Sequence, residues 1–70
     1  MSINPQEIYT QNEVIDLLKT SLSFLESRRR NNKTPKYIRF GKTRMIRYLG
    51  SDLLDFINEQ KEMTEVANDE

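Results

Sequence analysis

Nine of the eleven basic residues fall between positions 28 and 47: Arg28, Arg29, Arg30, Lys33, Lys36, Arg39, Lys42, Arg44 and Arg47. No acid lies between Glu26 and Asp52. Three consecutive arginines alone would suit a solvated helix end, because cations favour the negative end of the helix dipole. Six further cations over the next 17 residues go beyond that. A structural surface normally mixes both signs to limit self-repulsion. The chemistry expected of this segment is therefore the binding of an anion, with nucleic acid as the natural partner.

Other chemistries lack their residues. Histidine and cysteine are absent. That removes the commonest general base, the usual metal ligands, the Ser-His and Cys-His nucleophile pairs, and any disulfide. Asp52 and Asp55 stand three apart at an expected helix start, where capping and the dipole explain them. Gly41 has no Gly-rich neighbourhood and no following Lys-Ser/Thr pair, so it is turn chemistry rather than a phosphate loop. The expectation is a protein that is not an enzyme and takes no cofactor and no metal.

The elements that must carry the cations are legible from caps and periods. Residues 1–8 are short, polar and broken by Pro5, and are expected to form a flexible lead-in. Thr10 with Glu13 three residues later matches a capping box. Val14, Leu17 and Leu18 then make one apolar stripe, giving a first helix over about residues 11–19. Ser21 is a good N-cap for a second helix, residues 21–31, with Phe24 and Leu25 on its buried side. Asn31 and Asn32 tolerate the left-handed conformation that ends it. Two helices joined by so short a turn make a helix-turn-helix unit.

After Pro35 the period changes to two. Ile38 and Phe40 alternate with Arg39, and Ile46 and Tyr48 alternate with Arg47. Residues 41–45 form the hairpin tip. The expected ribbon has two strands, with Ile38, Phe40, Ile46 and Tyr48 toward the helices and the cations outward. Tyr37 falls on the outward parity, although a turn after Pro35 could tuck it in. Ser51 is expected to cap a third helix, with Leu53, Phe56 and Ile57 as its stripe, fraying near Lys61. Ile15 and Leu54 fall off the buried stripes of their helices. Phe24, Phe40, Tyr48 and Phe56 are expected in the core. The fold class is therefore α+β, mostly α, with three helices and a two-stranded hairpin over residues 9–61. Residues 62–70 are expected to form an acidic disordered tail.

Seventy residues make one small domain with zero net charge. Such a chain buries only about 60% of the surface exposed when unfolded. The neutral average hides a basic middle and acidic ends. Asp55, Glu59, Glu62, Glu65, Asp69 and Glu70 make up six of the eleven acids. No apolar run exceeds three residues, so no membrane span or signal-peptide core is expected. With cysteine absent, a cytoplasmic location is expected.

Helix, turn, basic helix, basic hairpin and helix is the order of a winged helix-turn-helix. Over about 50 residues the chain also resembles the small excisionases and AlpA-like regulators, which have a MerR-like winged helix. The resemblance rests on Tyr9-Thr10, Glu13 with Leu17-Leu18, Ser21, Pro35-Lys36-Tyr37-Ile38-Arg39-Phe40-Gly41, Ile46-Arg47-Tyr48 and Ser51-Asp52-Leu53. It departs from the pattern at Lys19, where the turn usually has Gly, and at Thr20, usually apolar. It departs also at Arg28, often Trp or Leu, and at Phe24, often Thr. The resemblance implies a double-stranded DNA binder of a mobile element or prophage. Such a protein acts as an excisionase that steers an integrase or recombinase, as a transcriptional regulator, or as both.

On that reading the second helix enters the major groove with Ser21, Ser23, Ser27, Arg28 and Arg30 as its contacts. Arg39, Lys42, Thr43 and Arg44 hold the wing on phosphates or in the minor groove. Glu26 either accepts from cytosine, pairs with Arg30 or faces away. One recognition helix without zipper heptads suggests a monomer that binds DNA cooperatively. The competing expectation is a protein-interaction module whose basic surface docks an acidic partner.

Overall fold

The structure, a computed structural model, describes residues 3–42 and 45–65. Thr10 closes a strand, β1 (Ile8–Thr10), and caps the first helix, α1 (Gln11–Leu18). Its hydroxyl accepts from the Glu13 N–H at 3.1 Å, and the Glu13 carboxylate accepts from the Thr10 N–H at 2.9 Å. Lys19 ends α1 in the left-handed conformation, φ 58°. Ser21 caps α2 (Leu22–Arg30) by accepting from the Phe24 N–H at 3.2 Å. Asn31 and a left-handed Asn32, φ 56°, end it. Both caps and the Asn31-Asn32 stop lie where local chemistry placed them, and α1 ends one residue short of the expected Lys19.

The rest of the chain adds β2 (Ile38–Arg39), β3 (Ile46–Leu49) and α3 (Gly50–Glu65). The architecture is α+β, three helices with one antiparallel sheet in the order β1-β3-β2. The sheet has three strands, not the two expected. Tyr9 pairs with Tyr48, Ile8 with Leu49 and Thr10 with Arg47. A three-residue strand shows no period of its own, and its partner is remote in sequence, so no local signal announces it.

The lead-in is also built into the fold. The Glu7 carbonyl accepts from the Gly50 N–H at 2.8 Å, and the Pro5 carbonyl accepts from the Ser51 N–H at 3.0 Å. These bonds satisfy free amides at the start of α3, the work expected of a Ser51 cap. The helix instead begins at Gly50, two residues before the first position a Ser51 cap would give, directly from β3. Gly50 is required there, since a Cβ would lie 1.9 Å from the Asn4 carbonyl oxygen. At its other end α3 runs past Lys61 to Glu65; residues 66–70 lie outside the described residues.

The register reverses the expected facing of the first hairpin strand. Arg39 pairs with Ile46 and Ile38 with Arg47. Opposed residues share a face, so Arg39 lies on the side of buried Ile46, toward the helices. Ile38 and Phe40 lie on the outer side with Arg47, and Phe40 is 41% exposed. Alternation fixes which residues share a face but not which face is buried.

The core is Tyr9, Val14, Leu25, Ile46, Tyr48 and Leu53, with Ile3, Ile15, Leu17 and Leu18 packed against it. Ile15 therefore joins the core rather than standing off it, and Leu54 is half-buried. Each fully buried aliphatic side chain contributes about 1.5–3 kcal/mol. Phe56 is buried, whereas Phe24, expected with it, is 36% exposed and meets the Phe56 ring at 6.3 Å between centroids. No helix among the described residues is long and apolar enough to cross a membrane.

Candidate nucleic-acid interface

Leu25 fixes the orientation of α2 by burying its side chain almost completely. At 3.6 residues per turn, the positions opposite it are Ser23, Ser27 and Arg30. Ser23 and Arg30 are exposed and Ser27 is half-buried. Ser21, Ser23, Ser27, Arg28, Asn31 and Lys33 border one open groove of 400 Å³. The structure thus brings three of the expected contact serines together and adds Lys33, which the sequence had placed only in a basic run. Ser21 uses its oxygen as a helix cap, which leaves its O–H free to donate outward.

Arg28 does not stand free. Its guanidinium lies 5.5 Å from the Phe24 ring centroid and 5.0 Å from that of Phe56. Its Nε donates to the Thr34 carbonyl. The Thr34 hydroxyl in turn donates to Glu59 on α3. Arg28 therefore ties α2, α3 and the following loop together, a use that removes it from the freely projecting readers. The partners Phe56, Thr34 and Glu59 carry no local signal that would have revealed this.

Arg29 is held on the other flank of α2. Its NH1 donates to Gln11 Oε1 at 3.0 Å, and its guanidinium lies 5.7 Å from the Tyr37 ring centroid. Burial pushes the Tyr48 hydroxyl above its ordinary pKa, while the neighbouring Arg29 charge and hydrogen bond oppose that rise. Gln11, Glu26, Arg29, Arg39 and Ile46 border a second open groove, of 510 Å³, between α2 and the hairpin. The sheet register explains why Arg39 reaches this notch. Expected at the wing with Lys42, Arg39 lies instead between the sheet and α2, where Glu26 sits with two arginines.

At the hairpin tip the Phe40 N–H donates to the Met45 carbonyl at 3.1 Å. Gly41 takes the left-handed conformation, φ 62°, that starts the turn. Lys42 is exposed beside it. Thr43 and Arg44, also assigned to the wing, lie outside the described residues. Arg47 is half-buried on the central strand, and its NH1 donates to the Ile46 carbonyl at 2.9 Å.

The arrangement offers a hydroxyl-rich helix face with one projecting arginine, with Lys33 of the following loop at its border and Lys42 exposed at the hairpin turn. Hydroxyls and Arg30 can donate to base edges, and the lysines can meet phosphate oxygens. Comparison of the chain with protein-family models, with curated proteins and with solved structures finds no match.

Proposed function

We propose that the protein binds double-stranded DNA as a winged helix-turn-helix, with α2 in the major groove and the β2–β3 hairpin as the wing. The observation that carries this reading is the outward face of α2. Ser23, Ser27 and Arg30 stand opposite buried Leu25, and Lys42 is exposed at the hairpin turn. Ser21, Ser23, Ser27 and Arg30 contact bases or the flanking backbone. Lys42, with Thr43 and Arg44, secures the hairpin on the DNA backbone, while Arg39 stays in the notch between the sheet and α2. Arg28 serves by fixing the helix rather than by reading. Glu26 shares its notch with Arg29 and Arg39, which offset its repulsion of the DNA. The biological role we propose is that of a mobile-element or prophage protein, acting as excisionase with an integrase, as transcriptional regulator, or as both. Footprinting on the DNA flanking the gene separates protection at an attachment site from protection at a promoter.

Competition binding tests the central claim, with a preferred duplex selected from a random pool and a random duplex beside it. Arg30→Ala is expected to weaken the preferred site by about 1–3 kcal/mol and random DNA much less. Lys42→Ala is expected to weaken both by similar factors. If helix and wing together neutralise about 5 phosphates, log affinity falls with log salt at a slope near −4.5. No measurable binding to duplex DNA at low salt would hand the basic surface to an acidic protein partner instead.

A further inference from the structure

The loop between α2 and β2 is basic, and its backbone is tied down at successive residues. The Asn32 N–H donates to the Arg29 carbonyl at 3.1 Å and the Lys33 N–H to the Arg28 carbonyl at 2.8 Å. The Ser27 carbonyl accepts from the Asn31 N–H at 3.1 Å and from Asn31 Nδ2 at 2.8 Å. Thr34 is anchored through its carbonyl by Arg28 and through its hydroxyl by Glu59. Pro35 is buried. Lys33 and Lys36, between and beside these anchors, are exposed.

Two consequences follow for an anion. The end of a helix is ordinarily hostile to negative charge, because its last carbonyls are unpaired. Here the carbonyls of Ser27, Arg28 and Arg29 are all hydrogen-bonded within the loop, and two ammonium groups project from it. Lys33 and Lys36 also border, with Asn32, Thr34 and Tyr37, an open hollow of 330 Å³. That lining contains no carboxylate. The neighbouring hollow on the α3 side does contain one, Glu59, whose Oε1 already accepts from Thr34. Lys33 belongs to the loop hollow, to the groove of Ser21, Ser23 and Ser27, and to the Glu59 hollow as well, whereas Lys36 borders the loop hollow without a carboxylate. The loop hollow and the serine groove therefore meet at one side chain, and a strand lying along α2 can continue onto the loop.

We propose that this hollow is a phosphodiester site, in which Lys33 and Lys36 hold the DNA backbone where it leaves the recognition helix. The site is a second grip, separate from the hairpin, and it rests on the DNA-binding reading above. An immobilised loop loses little freedom on binding, so its two lysines contribute at every sequence. A phosphate contact carries position, not base identity.

Salt titration of the full chain on preferred and random duplexes tests this, with Lys33→Gln, Lys36→Gln and Lys33→Arg. Each Gln variant is expected to make the log–log salt slope shallower by about 0.9, with equal fold losses on both duplexes at low salt. Lys33→Arg is expected to keep the wild-type slope. Thermal unfolding without DNA should match wild type for all three, because both lysines are exposed. Wild-type binding with unchanged slopes and affinities in both Gln variants would overturn the site while leaving DNA binding intact. A loss confined to the preferred duplex at unchanged slope would make Lys33 a base reader and overturn the phosphate assignment. Failure of the wild type to bind either duplex would defeat the parent reading, and this site with it.

Discussion

Thr20 Oγ1 is buried at the turn between α1 and α2 and has no hydrogen-bond partner among the described residues. An unpaired buried hydroxyl costs about 1–3 kcal/mol, and replacing it by an apolar group of the same shape removes that cost. Thr20→Val is therefore expected to stabilise the fold by about 1 kcal/mol, read from the urea midpoint at an unchanged slope. A midpoint at or below that of wild type would show that the hydroxyl is satisfied after all. The unusual polarity of this position was visible in the sequence, because Thr20 stands where the resembled pattern has an apolar residue. Its burial without a partner was not, since that depends on what the turn packs against. Lys19 shows the opposite case. It stands where the resembled pattern has Gly, and it nevertheless takes the left-handed conformation, φ 58°, that Gly adopts more readily.

Among the elements, legibility followed the reach of the interaction that makes each one. The starts of α1 and α2 were readable because Thr10, Glu13 and Ser21 bond within three residues of themselves. The start of α3 was misplaced because its amides are satisfied by carbonyls of Pro5 and Glu7, far off in sequence. The facing of β2 was reversed for the same reason: its pairing to β3, not its own alternation, decides it. The candidate site divides likewise. The serines and Arg30 of α2 follow from helical period, whereas the recruitment of Arg28 by Phe56 and Thr34 depends on tertiary packing. A consequence can be measured at this scale. Arg28→Ala removes a link between α2, α3 and the loop. It is expected to destabilise the fold by about 1–3 kcal/mol in urea unfolding, a charged hydrogen bond alone contributing about that much. Arg28→Lys is expected to restore little, because an ammonium lacks the planar group that stacks on both rings. Arg30→Ala should leave the urea midpoint near wild type. Wild-type stability in Arg28→Ala would return that side chain to the set of free DNA contacts.

The whole molecule is neutral by segregation rather than by mixing. Five of its seven exposed cations among the described residues, Arg30, Lys33, Lys36, Arg39 and Lys42, run from the end of α2 through the loop to the hairpin, with Lys19 and Lys61 apart from them. The exposed acids Glu59 and Glu62 lie on the last turns of α3. The Thr34–Glu59 hydrogen bond brings that acidic helix end against the basic loop. Negative charge held there opposes an approaching phosphate within a Debye length of roughly 8 Å at physiological salt. Truncation after Lys61 removes Glu62, Glu65, Asp69 and Glu70 and no cation, taking the net charge from 0 to +4. The truncated chain is expected to bind random duplex DNA several-fold more tightly at low salt, with the difference shrinking as salt rises. Its cooperativity on a multi-site duplex should not change if the acidic end acts within its own chain. Sedimentation without DNA should find a monomer. A standard interface takes about 800 Å² from each partner, a large share of the 5364 Å² accessible surface. Among the described residues the exposed large apolar side chains, Ile8, Leu22, Phe24, Tyr37, Phe40, Met45 and Met63, are divided among β1, α2, the following loop, the hairpin and the end of α3, so no one element presents an apolar face of that size. Unchanged binding to random DNA after truncation would remove the shielding role. Loss of cooperativity instead would place the acidic end on the basic loop of a neighbouring copy, where the same charges would join two proteins on one duplex.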